Sequence, residues 1–486
     1  MIKKSLGFFI LLILISCGES TMFRLHTSSS SGIDFINSVE ESSELNLLNY
    51  LYMYNGGGVA IGDINNDNLP DVYFGSNLQS NELYLNRGSL RFENITHAAK
   101  VGGSKERSWT TGVSMADVND DGLLDIYVCK LHQVGGLMGG NELFINNGDL
   151  TFTERAREYG LDARSYAQQA AFFDYDLDGD LDMYLLNQSI HTPNSYDQGE
   201  KRILRDSLAG DRLYRNDGNE FIDVSEESGI FGGVMGYGLA LNIADFNNDS
   251  YPDVYVSNDF HENDYLYYNN GDGTFTEGIA SSVTHSSTFS MGNDVGDINN
   301  DGLLDIITLD MKPMDEKVRK MSMTPDSYGI YNFKIRYGYH YQFARNMLHI
   351  NRGNLFSNHA NFSEVGEQNG VAATDWSWGV LMADFDLDGL KDLFITNGIP
   401  RRPNDLDYIN ITSNESFNPD SVDFEKVINM MPSGQIKNIA FRNEKDTFVM
   451  VSEEWGLDLL GYSNGSAYAD LDNDGDFDIV VNNLNS

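Results

Sequence analysis

Seven copies of one nine-residue phrase, Asp-x-Asn/Asp-x-Asp-x-x-x-Asp, place oxygen-bearing side chains at positions 1, 3, 5 and 9. The first three sets are Asp63, Asn65, Asp67, Asp71; Asp117, Asn119, Asp121, Asp125; and Asp174, Asp176, Asp178, Asp182. The other four are Asp245, Asn247, Asp249, Asp253; Asp297, Asn299, Asp301, Asp305; Asp384, Asp386, Asp388, Asp392; and Asp470, Asp472, Asp474, Asp478. Four hard oxygens and a backbone carbonyl at position 7 suit Ca2+, which takes about six to eight oxygen ligands in flexible geometry. Up to seven ions are expected. Glycine follows the third ligand in five copies and permits a sharp turn, whereas Asn68 and Ser250 stand there in copies one and four. Asn tolerates a left-handed backbone better than Ser, so copy four is expected to be the weakest site. An EF-hand would end on a Glu three residues further on, between helices. Here a β-rich run follows the last acid.

The phrases hold 27 of the chain's 73 acidic residues, and the formal net charge is -41. Such a charge disfavours nucleic acid as a partner. Carboxylates this close repel unless a cation sits among them. Beyond Cys17 the 486-residue chain has only Cys129, so no internal disulfide is expected in the mature protein, and calcium is the candidate staple.

The phrases start 54, 57, 71, 52, 87 and 86 residues apart, and each sits in the same setting. A small-residue segment leads into the first Asp. A β-rich run follows the ninth residue, as in Val72-Tyr73-Phe74 or Val254-Tyr255-Val256. A polar–apolar alternation then ends in Asn (Asn86, Asn146, Asn216, Asn269, Asn351, Asn443), and a short strand carries Phe (Phe92, Phe152, Phe221, Phe275, Phe362, Phe448). Four strands per unit, repeated with turn chemistry between them, predict an all-β fold, a seven-bladed β-propeller of four-stranded blades. The seventh copy has only its first two strands. The N-terminal stretch from Phe23 to Phe35 has the rhythm of a third and fourth strand, so it is expected to close the ring.

These units resemble the FG-GAP/VCBS repeats of the integrin α-subunit propeller. Tyr54-Asn55-Gly56-Gly57-Gly58, residues 471–476 (Leu-Asp-Asn-Asp-Gly-Asp) and Val481-Asn482-Asn483 resemble bacterial lipoproteins of the ASPIC/UnbV, cartilage acidic protein-like group. Those relatives carry a further module after the propeller, and truncation of this chain at its C-terminus is an open expectation.

Lys3 and Lys4 precede an apolar run at residues 6–15, too short to span a bilayer comfortably. Leu14-Ile15-Ser16-Cys17 resembles a bacterial lipobox. The expected organisation is a lipoprotein signal peptide at 1–16, lipidation at Cys17, a tether at 17–22 and the propeller at 23–486. The chain is expected to be exported and lipid-anchored at the bacterial outer membrane or cell surface.

Gly461-Tyr462-Ser463-Asn464-Gly465 spells a nucleophile elbow but precedes a strand, the wrong context for that motif. The nine histidines show no ligand spacing, and no catalytic residue is assigned. In integrin-like propellers the phrase loops join the first and second strands on one face, so the second-to-third loops emerge opposite. Three of these are long: residues 188–211, 311–346 and 397–437. The middle one holds Arg336, Tyr337, Tyr339 and Tyr341, and the third holds Arg401 and Arg402; aromatic rings with guanidinium groups suit a glycan or protein ligand. The tyrosine alternation also fits one face of an extra packed strand. The leading expectation is a non-enzymatic adhesion, glycan-binding or assembly scaffold. The alternative is a calcium-dependent polysaccharide lyase or hydrolase, or an accessory unit of glycan utilisation.

Overall fold

The computed structural model describes residues 21–104, 107–190, 198–323, 327–354, 358–413, 424–445 and 447–485. The signal segment, Cys17 and most of the 17–22 tether lie outside the described residues.

Each repeat folds as an antiparallel meander. In the first, Val59–Gly62, Asp71–Phe74, Glu82–Asn86 and Phe92–Asn94 pair in chain order, with Tyr73 opposite Leu83 and Tyr84 opposite Asn94. The second strand reads as an unbroken apolar run because blades cover both its faces, and all of Asp71–Phe74 is buried. Six such four-stranded sheets form, rather than the seven expected. The seventh phrase joins Ser463–Ala469 to Asp478–Asn483 in a two-stranded sheet. The first strands of all seven units still line one central channel of about 230 Å3. Glycines let them converge: a Cβ on Gly112 would stand 2.4 Å from the Gln168 carbonyl oxygen, and one on Gly292 2.3 Å from that of Trp378.

The N-terminal segment fills part of the seventh unit. Phe23 N–H donates to the Trp455 carbonyl at 2.8 Å, as Phe275 of the fourth blade's outer strand does to Ser228. Gly456 faces the Phe23 carbonyl as Gly229 faces that of Phe275. After Phe23 comes the short helix Ser28–Ser31, closed by left-handed Gly32, like the helices that follow the outer strands of other blades. Asp34 N–H then donates to the Tyr84 hydroxyl at 3.3 Å, as Phe231 does to Tyr267. Residues 23–34 therefore stand in for the fourth strand and its following turn. They do not supply the expected third strand.

At the opposite end from the phrases, the loop between second and third strands is fastened by one repeated device. The residue before each third strand offers its side-chain oxygen to a backbone N–H at the end of the second strand. Asn81, Asn141, Asn346 and Asn438 do so in four blades, and Asp211 and Asp264 in the other two, at 2.7–3.0 Å. In blade two the Asn141 amide donates its second bond to the Tyr127 hydroxyl, whereas Tyr184 and Tyr255 donate to Asp211 and Asp264. Both carboxyls are buried, and burial pushes each up to about 7 from the model-peptide value of 3.8. A raised folded pKa favours the protonated form. That stabilisation is complete below about pH 4 and is lost as pH rises through about 7. Asp211→Asn and Asp264→Asn copy the other four blades. Each is expected to raise stability at pH 8 by about 2 kcal/mol and to flatten its pH dependence between about pH 5 and 8, measured by urea unfolding.

The tyrosine-rich stretch is not an extra strand. Tyr328–Arg336 is a helix whose N-cap Ser327 accepts from Ile330 N–H, and only Gln342–Phe343 is extended, pairing in parallel with Ser286–Ser287. Cys129 is buried and free, as its apolar surroundings imply. No helix among the described residues is long and apolar enough to cross a membrane.

Candidate functional sites

The seven phrases fold into one loop conformation. The first Asp accepts from the backbone N–H of positions 5 and 6, as Asp117 does from Asp121 (3.0 Å) and Gly122 (2.8 Å). The Asp at position 5 accepts from position 7, as Asp121 does from Leu123. Position 6 is left-handed throughout, including Asn68 and Ser250, which tightens the turn at some cost for Ser. Position 4 is left-handed as well, in Asn66, Asp120, Leu177, Asn248, Asn300, Leu387 and Asn473. Fourth-loop Ser250 keeps the shared bond to Asp245 at 2.8 Å.

The ninth residue ties the loop to its blade. Asp125 Oδ2 accepts from Val118 N–H, and Oδ1 accepts from Asn146 N–H at 2.8 Å. The Asn146 amide then reaches the Ile64 carbonyl of the preceding blade at 2.8 Å. In five of the six complete blades the Asn that ends the third strand is thus a clasp between blades. Its recurrence was visible in the sequence; its role was not.

Position 3 is Asn in copies one, two, four and five and Asp in copies three, six and seven. In copies one, two and four an Asn side chain donates to the position-5 carboxylate at 2.8–3.0 Å. In copies three, six and seven that residue is Asp. There the carboxylates of Asp174, Asp176 and Asp182, of Asp384, Asp386 and Asp392, and of Asp470, Asp472 and Asp474 gather with ligand atoms within 4.8 Å of one another. Asp176 Oδ1 and Asp180 Oδ1 are buried with no hydrogen-bond partner among the described residues. Crowded carboxylates with orphaned oxygens fit a hard divalent cation better than they fit one another.

The second feature is a cavity of about 370 Å3 at the opposite end of the propeller. Residues 39–54 cross this mouth as a largely apolar plug, with Tyr50, Tyr52 and Met53 buried against Trp109, Tyr237 and Met291. The cavity lies between the plug and the loops of blades four to six. Its walls include Tyr52, Phe260, Phe289, Trp376 and Trp378, with Met311 and Ile409 from the long loops. The rings of Trp376 and Trp378 lie 6.2 Å apart, and Trp378 Nε1 donates to the Gly398 carbonyl at 2.7 Å. Two polar atoms of its walls, Trp376 Nε1 and Asn404 Oδ1, are buried with no partner among the described residues.

Asp259 also lines the cavity. Burial pushes its carboxyl up to about 8, against the opposing pull of the Phe260 N–H, which donates at 2.7 Å. Neighbouring Asp310 is pushed up to about 6 by burial, while Ser287, Phe289 N–H and Met311 N–H all donate to it.

None of the six ligand residues expected from sequence lines this cavity. Tyr339 is buried against His261 and under the Arg202 guanidinium. Tyr337 stacks on Phe333 at 4.0 Å, Tyr341 lies 46% exposed, and Arg336 is exposed at the end of its helix. Arg401 donates to Asn429 at 2.8 Å. Arg402 is buried in an ion pair with Asp375. Ser463 sits in the inner strand of the seventh unit and donates to Asn483 at 2.7 Å, which removes the nucleophile-elbow geometry. The cavity residues come from the N-terminal plug and from several separate loops of blades four to six. Their sequence signals were the Trp376-Ser377-Trp378 triplet and Asp259-Phe260 directly after a second strand.

Three solved structures are similar to this chain at low identity. An Agrocybe aegerita lectin, described as recognising non-reducing terminal N-acetylglucosamine, matches at 14% identity and TM-score 0.41, covering 81% of each chain. The V. cholerae biofilm matrix protein Bap1 matches at 11% identity and TM-score 0.31, covering 68% of this chain and 42% of that one. An ancestral GH74 enzyme matches at 10% identity and TM-score 0.42, covering 88% of this chain and 44% of that one. No curated protein matched in sequence. The FG-GAP-like repeat profile matches residues 49–128 and 245–308, which correspond to blade one with the start of blade two, and to the junction of blades four and five. The chain is a β-propeller containing FG-GAP-like repeats.

Proposed function

We propose that this chain is an exported, lipid-anchored scaffold of the ASPIC/UnbV-like kind, stabilised by Ca2+ in its phrase loops, which captures a hydroxyl-bearing ring at the mouth opposite those loops. One observation carries the ligand reading. The cavity is walled by five aromatic rings and holds a buried donor, Trp376 Nε1, and a buried acceptor, Asn404 Oδ1, that nothing in the described protein satisfies. An aromatic wall takes the C–H face of a sugar ring, while the two orphaned atoms take its hydroxyls. A glycan array followed by titration calorimetry tests this. Trp378→Ala is expected to weaken a hit at least tenfold with the fold intact by circular dichroism. An array with no hit, or a hit that Trp378→Ala leaves unchanged, overturns the glycan reading.

Asp259 supports a second reading. A carboxyl held protonated at neutral pH, beside an aromatic cavity, is what a general acid requires. A polysaccharide lyase or hydrolase also needs a base or nucleophile, and the nearby Asp310 carboxylate is occupied by three donors. Binding is therefore preferred to cleavage. Incubation with a polysaccharide panel decides the matter: fragments that disappear in Asp259→Asn favour the enzyme.

A further inference from the structure

The central channel adjoins the mouth cavity, since Asn55, Met291 and Trp378 wall both. Its chemistry differs from that of the cavity. No residue lining it is ionisable, in a chain with 73 acidic residues. Its polar side chains include the amides of Asn55, Gln168, Gln169 and Asn464. Each first strand also ends its sheet, so one edge of its backbone N–H and C=O groups lies towards the axis.

Three polar atoms on these walls are buried with no partner among the described residues. Asn55 leaves both Nδ2 and Oδ1 unpaired, and Asn464 leaves Oδ1. Asn464 is only 2% exposed, and its Nδ2 donates to the Tyr54 carbonyl at 2.9 Å. Buried polar groups are costly to leave unpaired. The Asn55 amide contributes no side-chain bond to the fold that would offset this cost.

We infer that the channel is a second subsite for the same glycan, and that it takes one uncharged sugar unit next to the ring held in the cavity. This inference rests on the glycan reading above. Size sets the number of units. The channel's volume of about 230 Å3 far exceeds the ~30 Å3 of one water, yet falls below the ~300 Å3 at which pockets for larger ligands begin. Charge sets the class. A carboxylate or sulfate in the channel would give up its water and meet no cation there. A sugar hydroxyl both donates and accepts, so it can pair with either atom of the Asn55 amide or donate to Asn464 Oδ1. The preferred ligand is thus an oligosaccharide of at least two units whose channel unit is neither a uronate nor sulfated.

The test titrates the full chain with neutral gluco-, manno-, galacto- and xylo-oligosaccharides of one to four units, followed by ligand-observed NMR. In a series that binds, affinity is expected to rise at least tenfold from one unit to two and to level off beyond. Asn55→Ala is expected to abolish that gain while leaving the affinity for one unit within about twofold. It is also expected to leave the melting temperature unchanged, which a structural role for the side chain would not. Two disaccharides of that series, one with a uronate at the reducing end and one at the other end, complete the set. At least one of them is expected to bind no better than a single unit. Equal affinities for one and two units overturn the inference and leave the aromatic cavity as the whole site. So does a gain that Asn55→Ala retains, or tight binding of both uronates. If no series binds at any length, the glycan reading itself fails and takes this inference with it.

Discussion

Excess EDTA at neutral pH is expected to lower the melting temperature by roughly 10 °C or more, and added Ca2+ to restore it. A ligand at about one hundred times its Kd stabilises the native state by about 2.7 kcal/mol per site. Seven sites of that kind give about 19 kcal/mol if all bind only the folded chain. A chain this long moves by only about 1 °C per kcal/mol, since the shift per kcal/mol falls with size. A drop of roughly 10 °C thus requires about half of the sites to act at full strength. The effect is expected to be uneven. In loops one, two and four an Asn side chain bridges to the position-5 carboxylate and relieves the crowding without a metal. Loops three, six and seven have no such bridge, because Asp176, Asp386 and Asp472 hold the place. Affinity rises with ligand charge, so these three should fill first and lose most order on chelation. Hydrogen exchange in EDTA should quicken first at residues 174–182, 384–392 and 470–478. Asp176→Asn should lower the ion count by no more than one while making loop three less dependent on calcium. A melt that EDTA leaves unchanged sinks the calcium staple.

The loops could be read so far ahead because everything that shapes them is local. The bonds that set the turn of each phrase run between residues no more than five apart, save the bond from position 9 back to position 2; the clasp and the amides of Asn66, Asn247, Asn300 and Asn473 reach further. Blade closure was half legible for the same reason. Phe23, the serine run and Gly32 repeat the local pattern of Phe152 to Gly160, but the place they take in the sheet depends on Trp455 and Tyr84, distant in sequence. The tyrosine stretch does not form the strand that its alternation fits. Tyr337, Tyr339 and Tyr341 alternate as a strand would, yet Ser327 caps a helix just before them and Gly338 breaks the run at φ +84°. Capping and a left-handed glycine outweighed a period of two over three residues. The cavity itself is assembled from loops of three blades and the N-terminal plug, so no single stretch spells it.

Arg402→Ala is expected to cost about 3–5 kcal/mol, while its neighbour Arg401→Ala costs about 1 kcal/mol or less, measured by urea unfolding. The two are alike in the sequence and differ in their surroundings. Arg401 makes a hydrogen bond to Asn429 at a half-buried site. Arg402 is 7% exposed and pairs with Asp375, which is 2% exposed. Removing the guanidinium leaves a carboxylate buried without its counter-charge. The local damage would be specific. Asp375 also accepts from Trp376 N–H at 2.7 Å, and its own N–H donates to the Lys312 carbonyl at 2.9 Å. Arg402 N–H donates to the Pro432 carbonyl at 2.9 Å. The pair therefore pins two long loops to the segment that carries both cavity tryptophans. Asp375→Ala should be as costly as Arg402→Ala. The double variant Arg402→Met with Asp375→Leu should recover much of the loss, because it removes both charges together. If the pair serves only stability, that double variant also keeps any glycan binding at the mouth. If instead it restores the melt but not the binding, the ion pair is what sets the spacing of Trp376 and Trp378 against Asn404, and the cavity's selectivity resides in that charge pair.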